Sequence, residues 1–175
     1  MTPDQCIQFP AESTCDDTCA AIVSSAREVL SDVRHTQLKT HLDHGGIIGP
    51  VARTEHARNI NAVTLESLRR ANLTMDDLDA VAVASRPGLE LSLHVGVGYA
   101  QRLCFKYNKP LISIHHMEAH ALTALLSHPQ VTFPFLTLLI SGGHTIAALV
   151  TGVDKFYVLA DNHSNPIGKP LLIVH

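Results

Sequence analysis

No apolar run in this 175-residue chain reaches the roughly 18–20 residues that a membrane helix requires. The longest candidate, residues 133–150, is interrupted by Ser141-Gly142-Gly143-His144, and the composition predicts a soluble chain. Cysteine is scarce: Cys6, Cys15, Cys19 and Cys104 form neither a Cys-x-x-Cys pair nor a secreted-type framework. They read as reduced thiols. Excess basic charge is also missing, since the formal net charge is −3 and provides no general attraction to nucleic acid. Only a local patch, such as Arg53, Arg58, Arg69 and Arg70 along one helix, could contact RNA, and such a patch also suits an ordinary solvated face. The opening MTPDQCIQFPAEST has no basic or apolar leader and no Arg-rich presequence. Repeats, low-complexity tracts and linkers are absent as well.

What remains is a globular composition, 46% apolar and 17% charged, in a length suited to one ordinary domain. Residues 19–36 mix short apolar runs with polar breaks, and periodicity does not decide between helix and strand there. From Val51 to Ala71 the spacing of Ala57, Ile60, Val63, Leu68 and Ala71 predicts a helix, with Pro50 at its start and Asn72 at its end. Ala80–Ala84 reads as a buried strand of a parallel sheet. Arg86-Pro87-Gly88-Leu89 makes a turn, and Ser92–Tyr107 a helix whose Gly96 and Gly98 suggest close approach of another backbone or a ligand, or equally tight helix packing. A strand at Leu111–Ile114, a helix at Met117–Ser127 and a hairpin of Phe135–Ile140 with Thr145–Val150 complete an α/β pattern.

Three clusters carry chemistry. His116 and His120 lie four apart at the start of a helix, so both fall on one face with Cβ atoms about 5–6 Å apart. Two imidazoles so placed can grip one metal ion. Histidines without a metal are the commoner outcome in a chain holding twelve of them, and two ligands are too few for a stable site. Glu118 does not directly follow the first histidine, which separates the motif from zinc-protease helices. The second cluster is Ser141-Gly142-Gly143-His144-Thr145, whose glycines could present backbone N–H groups to phosphate or carboxylate oxygens, or could simply make a hairpin turn. The third is the polar run Glu12–Thr18. There Asp16 and Asp17 could orient a metal-bound water or a substrate amine, or could cap their own turn.

Five segments in order then resemble one family: ESTCDDT (Glu12–Thr18), HGGIIGPVARTEHARNI (His44–Ile60), RPGLELSLHVGVGYAQ (Arg86–Gln101), KPLISIHHMEAHALT (Lys109–Thr123) and FPFLTLLISGGHT (Phe133–Thr145). They are similar to the tRNA threonylcarbamoyladenosine transferases, long labelled O-sialoglycoprotein endopeptidases, and HHMEAH resembles their bacterial and mitochondrial branch. The resemblance implies an actin-like or Hsp70-like ATPase-type α/β domain, a mixed sheet with flanking helices and a β-hairpin at 135–150. It implies transfer of a threonylcarbamoyl group from threonylcarbamoyl-AMP to the adenosine 3′ of the anticodon in tRNAs reading ANN codons. It also implies one divalent metal, iron or zinc, on His116 and His120, and a third ligand that is an aspartate of the family's C-terminal half. Substrate contacts are implied for Leu139, Ile140, Ser141, Gly142 and Gly143, and substrate orientation for Glu12, Asp16 and Asp17. The expected partners are tRNA and a second copy of the chain, with neither DNA nor a membrane. The expected compartment is the mitochondrion for a eukaryotic source and the cytoplasm for a bacterial one.

The chain also departs from that family. The resemblance runs over residues 12–159, the N-terminal lobe, leaving a divergent start at 1–11 and a divergent tail at 160–175. Pro10 stands where a central strand needs a ladder donor, which predicts a frayed or absent first strand. The C-terminal aspartate is missing, so metal binding by this chain is expected to be weak and its activity impaired. The alternatives are a non-catalytic half-domain or interaction module and, less favoured by the histidine motif, a metalloendopeptidase.

Overall fold

A computed structural model describes residues 7–140 and 145–162, with only the backbone described for residues 7–10. The length suits one domain, yet the chain forms two compact units, one through His116 and one from Met117 onward. The reason lies in the strand pairing, which makes two separate sheets.

The first unit is built on β1 (Ile7–Glu12), β2 (Asp17–Ser24), β3 (Val29–Thr36), β4 (Ala80–Arg86) and β5 (Leu111–His115), ordered β3-β2-β1-β4-β5. The first three pair antiparallel, whereas β4 runs parallel to both β1 and β5. Residues 19–36, undecided from periodicity, are thus the β2–β3 hairpin. The continuous apolar run Ala20–Val23 hides the alternation, which burial restores: every second residue of β2 is buried. The hairpin turns through Arg27, whose φ is +65°.

The expectation of a frayed or missing first strand is wrong. β1 is the central strand of the sheet, and Pro10 is accommodated between two partners with different demands. It stands in register with Ala82 of β4, while the ladder to β2 is registered at Ile7, Gln8, Ala11 and Glu12 and skips Phe9 and Pro10. A missing N–H therefore costs one local interruption rather than the strand.

Short α1 (Leu38–Asp43) leads into α2 (Gly49–Ala71), which carries Pro50 in its first turn and ends on Asn72 in the left-handed region (φ +54°). Leu73 N–H then reaches back to the Leu68 carbonyl at 3.0 Å. The second long helix, α3 (Glu90–Tyr107), ends the same way on Asn108, with Lys109 N–H on the Cys104 carbonyl. A 3₁₀ turn at Met75–Asp77 starts with a capping box in which Asp77 accepts from the Thr74 N–H and hydroxyl. Helices and sheet close over Ile22, Val63, Leu68, Leu78, Val81, Val83 and Ala100. Every residue of β4 from Ala80 to Ala84 is buried, as a central parallel strand requires.

Helix α4 (His116–Ser127) begins on the last residue of the first unit and otherwise belongs to the second, which also holds an antiparallel sheet of β6 (Phe135–Ile140), β7 (Thr145–Gly152) and β8 (Lys155–Asn162) in chain order. The expected hairpin is present, with Phe135 opposite Val150 and Ile140 opposite Thr145. Edge strand β6 alternates strictly, exposing Leu136 (71%), Leu138 (57%) and Ile140 (47%).

Candidate active site at the carboxyl edge of the first sheet

Parallel strands bring their carboxyl ends to one edge, the usual ligand position in open α/β sheets. Here β1 ends at Glu12, β4 at Arg86 and β5 at His115, so three distant segments meet. Their connections are locked together by close backbone approach. Leu89 N–H donates to the Thr14 carbonyl at 2.8 Å, joining the β4–α3 turn to the β1–β2 turn. A Cβ on Gly88 would lie 2.8 Å from that same carbonyl oxygen, so the turn needs glycine for space. One turn into α3, buried Ser13 donates to the Ser92 carbonyl at 2.9 Å and sits where a Cβ of Gly96 would fall. The glycine at 96 thus serves tight packing of α3 against the Ser13 and Val83 side chains rather than approach of another backbone or a ligand.

Glu12 and His116, more than a hundred residues apart, face one another: Nδ1 of His116 lies 3.2 Å from Oε2 of Glu12. The other carboxylate oxygen, Oε1, accepts the Thr14 N–H at 2.6 Å. Burial pushes the Glu12 carboxyl up, but hydrogen bonds from His116 and Thr14, with the nearby imidazole charge, outweigh it and hold the group below its ordinary value. The site therefore carries a carboxylate. Sequence reading singles out Glu12 and His116 separately, while their pairing arises from the β1-β4-β5 strand order alone.

His120 follows His116 by one helical turn on α4, so the helix places both on one face. Among the described residues no three His, Cys, Asp or Glu side chains converge as a metal site. Leu139 is half-buried and Ile140 exposed on β6, whereas Ser141, Gly142 and Gly143 lie outside the described residues. Asp16 and Asp17 belong to the connection from β1 to β2. The Asp16 carbonyl accepts the Gln37 N–H, and Asp17 opens β2 with Oδ2 3.6 Å from Arg34 Nη1. Oδ1 of Asp17 is buried and has no hydrogen-bond partner among the described residues. That connection is pinned from beneath by His56 of α2, which is fully buried. Its Nε2 lies 3.0 Å from the Cys15 carbonyl and its Nδ1 2.7 Å from the Thr18 hydroxyl. A carbonyl can only accept, so Nε2 carries the proton and Thr18 donates to Nδ1.

The cysteines beside the site are held in the protonated thiol form. Burial, reinforced by Asp16, pushes the Cys15 thiol up to about 11, and burial with Asp17 pushes Cys19 up to about 12. Of the arginines read as a patch, Arg58 pairs with Glu55, and Arg69 and Arg70 share Glu66. These three are a solvated, ion-paired face. Sequence reading missed Arg86, which lines a cavity of about 440 Å³ with Ser85, Pro87, Gly88 and Glu90 at the end of β4. The available signal was its place directly after a buried parallel strand.

Known proteins resemble this chain in sequence and in fold. The family model described as tRNA N6-adenosine threonylcarbamoyltransferase matches residues 28–172. The mitochondrial enzyme of that name from Mus musculus is 49% identical over 148 residues, covering 85% of this chain and 36% of the relative. A relative from Clostridium perfringens strain 13 is 39% identical over 166 residues, covering 95% of this chain and 49% of the relative. The chain thus spans between a third and a half of the curated relatives it matches. Among solved structures, YeaZ from Pseudomonas aeruginosa superposes with a TM-score of 0.58 at 13% identity, covering 90% of this chain and 67% of that one. A hexokinase of the ROK type from Thermus thermophilus follows at 0.51 and 16% identity, covering 92% and 50%. These structural likenesses show an actin-like ATPase fold, the one expected. With a family match across most of its length, the chain belongs to the tRNA N6-adenosine threonylcarbamoyltransferase family.

Proposed function

We propose that this chain supplies the N-terminal lobe, residues 12–159, of an enzyme that transfers a threonylcarbamoyl group from threonylcarbamoyl-AMP to the adenosine 3′ of the anticodon in tRNAs reading ANN codons. The observation that carries the reading is the Glu12–His116 pair at the carboxyl edge of a sheet whose strands β3, β4 and β5 lie within the family match. In the reaction the adenosine N6 amine attacks the carbamoyl carbon, a C–N bond forms, the bond to the adenylate oxygen breaks, and AMP leaves as the amine proton is lost.

The donor set fits a divalent metal, iron or zinc. An imidazole whose Nδ1 is held by a carboxylate, as Glu12 holds His116, is oriented to ligate through Nε2. His116 and His120 are the proposed ligands, and an aspartate from outside this chain is the third. When bound, the metal supplies Lewis acidity toward the carbamoyl carbonyl. The remaining work falls to this chain's residues: Leu139, Ile140, Ser141, Gly142 and Gly143 contact the adenylate, while Asp16 and Asp17 orient the substrate amine. tRNA is the macromolecular substrate and a second copy of the chain the protein partner. The compartment is the mitochondrion for a eukaryotic source, following the mitochondrial relatives, and the cytoplasm for a bacterial one. Among the described residues no helix is long and apolar enough to cross a membrane.

Two measurements test the reading. Co-expression with the C-terminal half of the mouse relative, in cells depleted of their own enzyme, is expected to restore the modified nucleoside in tRNA digests. His116→Ala or His120→Ala should reduce it at least about 100-fold, since each removes a metal ligand. Metal content of the purified chain alone should stay below about a tenth of an equivalent, because two ligands do not make a stable site. Undiminished modification in either histidine variant overturns the assigned ligands; no modification beside full, histidine-dependent metal loading overturns the transferase reading. The exposed alternation of Leu136, Leu138 and Ile140 favours a second reading, a non-catalytic half-domain that docks on a partner.

A further inference from the structure

α2 and α3 lie side by side, and a cavity of about 410 Å³ opens between them, remote in sequence from the residues assigned above. On α2 one stripe is Arg53, Ala57, Asn61, and on α3 one is His94, Gly98, Arg102, both at intervals of four. Its lining comprises Arg53, Ala57, Ile60 and Asn61 of α2 and His94, Val95, Tyr99 and Arg102 of α3.

The side chains lining the cavity include Arg53, Arg102 and His94 but no aspartate or glutamate. Arg58, Arg69 and Arg70 on α2 are all paired with glutamates; neither Arg53 nor Arg102 makes an ion pair among the described residues. Arg102 is instead held over the Tyr99 ring, 5.8 Å from its centroid, and the Tyr99 hydroxyl is fixed by donating to Asn61 Oδ1 at 3.1 Å. Two uncompensated guanidiniums, one pre-positioned on an aromatic face, make a fork for oxyanions.

We propose that this α2–α3 cavity is a phosphate-binding site, with Arg53 and Arg102 as the principal contacts and His94 as a third donor. The phosphate belongs to an RNA backbone or to a free nucleotide, chemistries that share this contact set. The RNA source rests on the tRNA activity proposed above; the nucleotide source does not.

The test uses the full 175-residue chain and two probes: a fluorescein-labelled anticodon stem-loop RNA followed by anisotropy, and ADP followed by calorimetry. The R53Q/R102Q variant should bind the responding probe about tenfold more weakly. For RNA, the log–log salt slope should also shrink by about 1.4, two phosphate contacts at about 0.7 each. Arg58→Gln with Arg69→Gln, which removes arginines already ion-paired, should change binding by less than about twofold. Loss of ADP binding alone assigns the site to a nucleotide, and loss of RNA binding assigns it to the backbone. The proposal is overturned if wild type binds neither probe, if R53Q/R102Q binds both as wild type does, or if the control pair weakens binding equally. Unfolding curves that coincide for all variants confirm that the comparison is between folded proteins. His116→Ala, which should abolish transfer, should leave phosphate binding unchanged, so the two proposals fail separately.

Discussion

His56→Leu is expected to destabilise the chain by about 2–4 kcal/mol, read as a drop in the urea midpoint at pH 7.5. The side chain is fully buried and ties α2 to the β1–β2 connection by accepting from the Thr18 hydroxyl and donating to the Cys15 carbonyl. Leucine fills much of the space but leaves a buried hydroxyl and a partly buried carbonyl without this partner, the buried one costing about 1–3 kcal/mol. The same residue gives stability a pH dependence. Burial, opposed by the Cys15 carbonyl and nearby carboxylates, holds the His56 pKa below its ordinary 6.5. Above 6.5 both folded and unfolded chains are neutral at this position, and its contribution is complete. As the pH falls below 6.5, the unfolded chain takes up a proton that the folded chain refuses, so stability declines until the folded value is passed. Glu12 acts in a separate, more acidic window. Its depressed pKa adds stability above 4.5 that is lost as the pH falls through its folded value. Urea midpoints measured from pH 7.5 to 5.5 should therefore fall in wild type and flatten in His56→Leu. An unchanged midpoint in the variant, or equal slopes in both proteins, would show that His56 does not bear this load.

Gly96→Val is the second substitution with a large expected effect, a loss of about 3 kcal/mol. Alanine alone would gain roughly 1 kcal/mol of helix propensity over glycine. Its methyl, however, would collide with Ser13 Oγ, and its distances to Ser13 Cβ and Val83 Cγ2 would be 3.4 and 3.6 Å. Ser13 cannot retreat, because it is fully buried and tied to the Ser92 carbonyl. Valine adds a second branch against the same wall, so α3 must lift from the β1–β2 connection that carries Glu12. The check is a double substitution. Ser13→Ala removes the atom nearest the new methyl, so Gly96→Ala with Ser13→Ala should recover at least half of the Gly96→Ala loss. Additive losses in the pair would show that this contact is not the source of strain.

Much of the architecture was legible along the chain because its signals are local. Helix α2 declares itself by the spacing of Ile60, Val63 and Leu68 and by Pro50 and Asn72 at its ends, and β4 by an unbroken apolar run. The hairpin of β6 and β7 needs only two strands and a glycine turn. The β2–β3 hairpin escaped because Ala20–Val23 is apolar throughout, and the alternation that marks a strand appears only once neighbours bury every second residue. Pro10 misled for a related reason. Its missing N–H is a local fact, but whether that breaks a strand depends on which partner needs the donor at that register, and β4 and β2 differ there.

The candidate site divides along the same line. The resemblance of five segments in order points to the family, while residue types and spacing mark the histidine pair on α4, the glutamate that ends β1 and the aspartates that follow it. Tertiary structure decides that Glu12 meets His116 across β4, that His56 props the connection from below, and that Arg53 is left with Arg102 while its neighbours find glutamates. The physical reason is that hydrogen bonds and ion pairs act over a few ångströms. Strand order and helix packing, not distance along the chain, determine which groups come within that range.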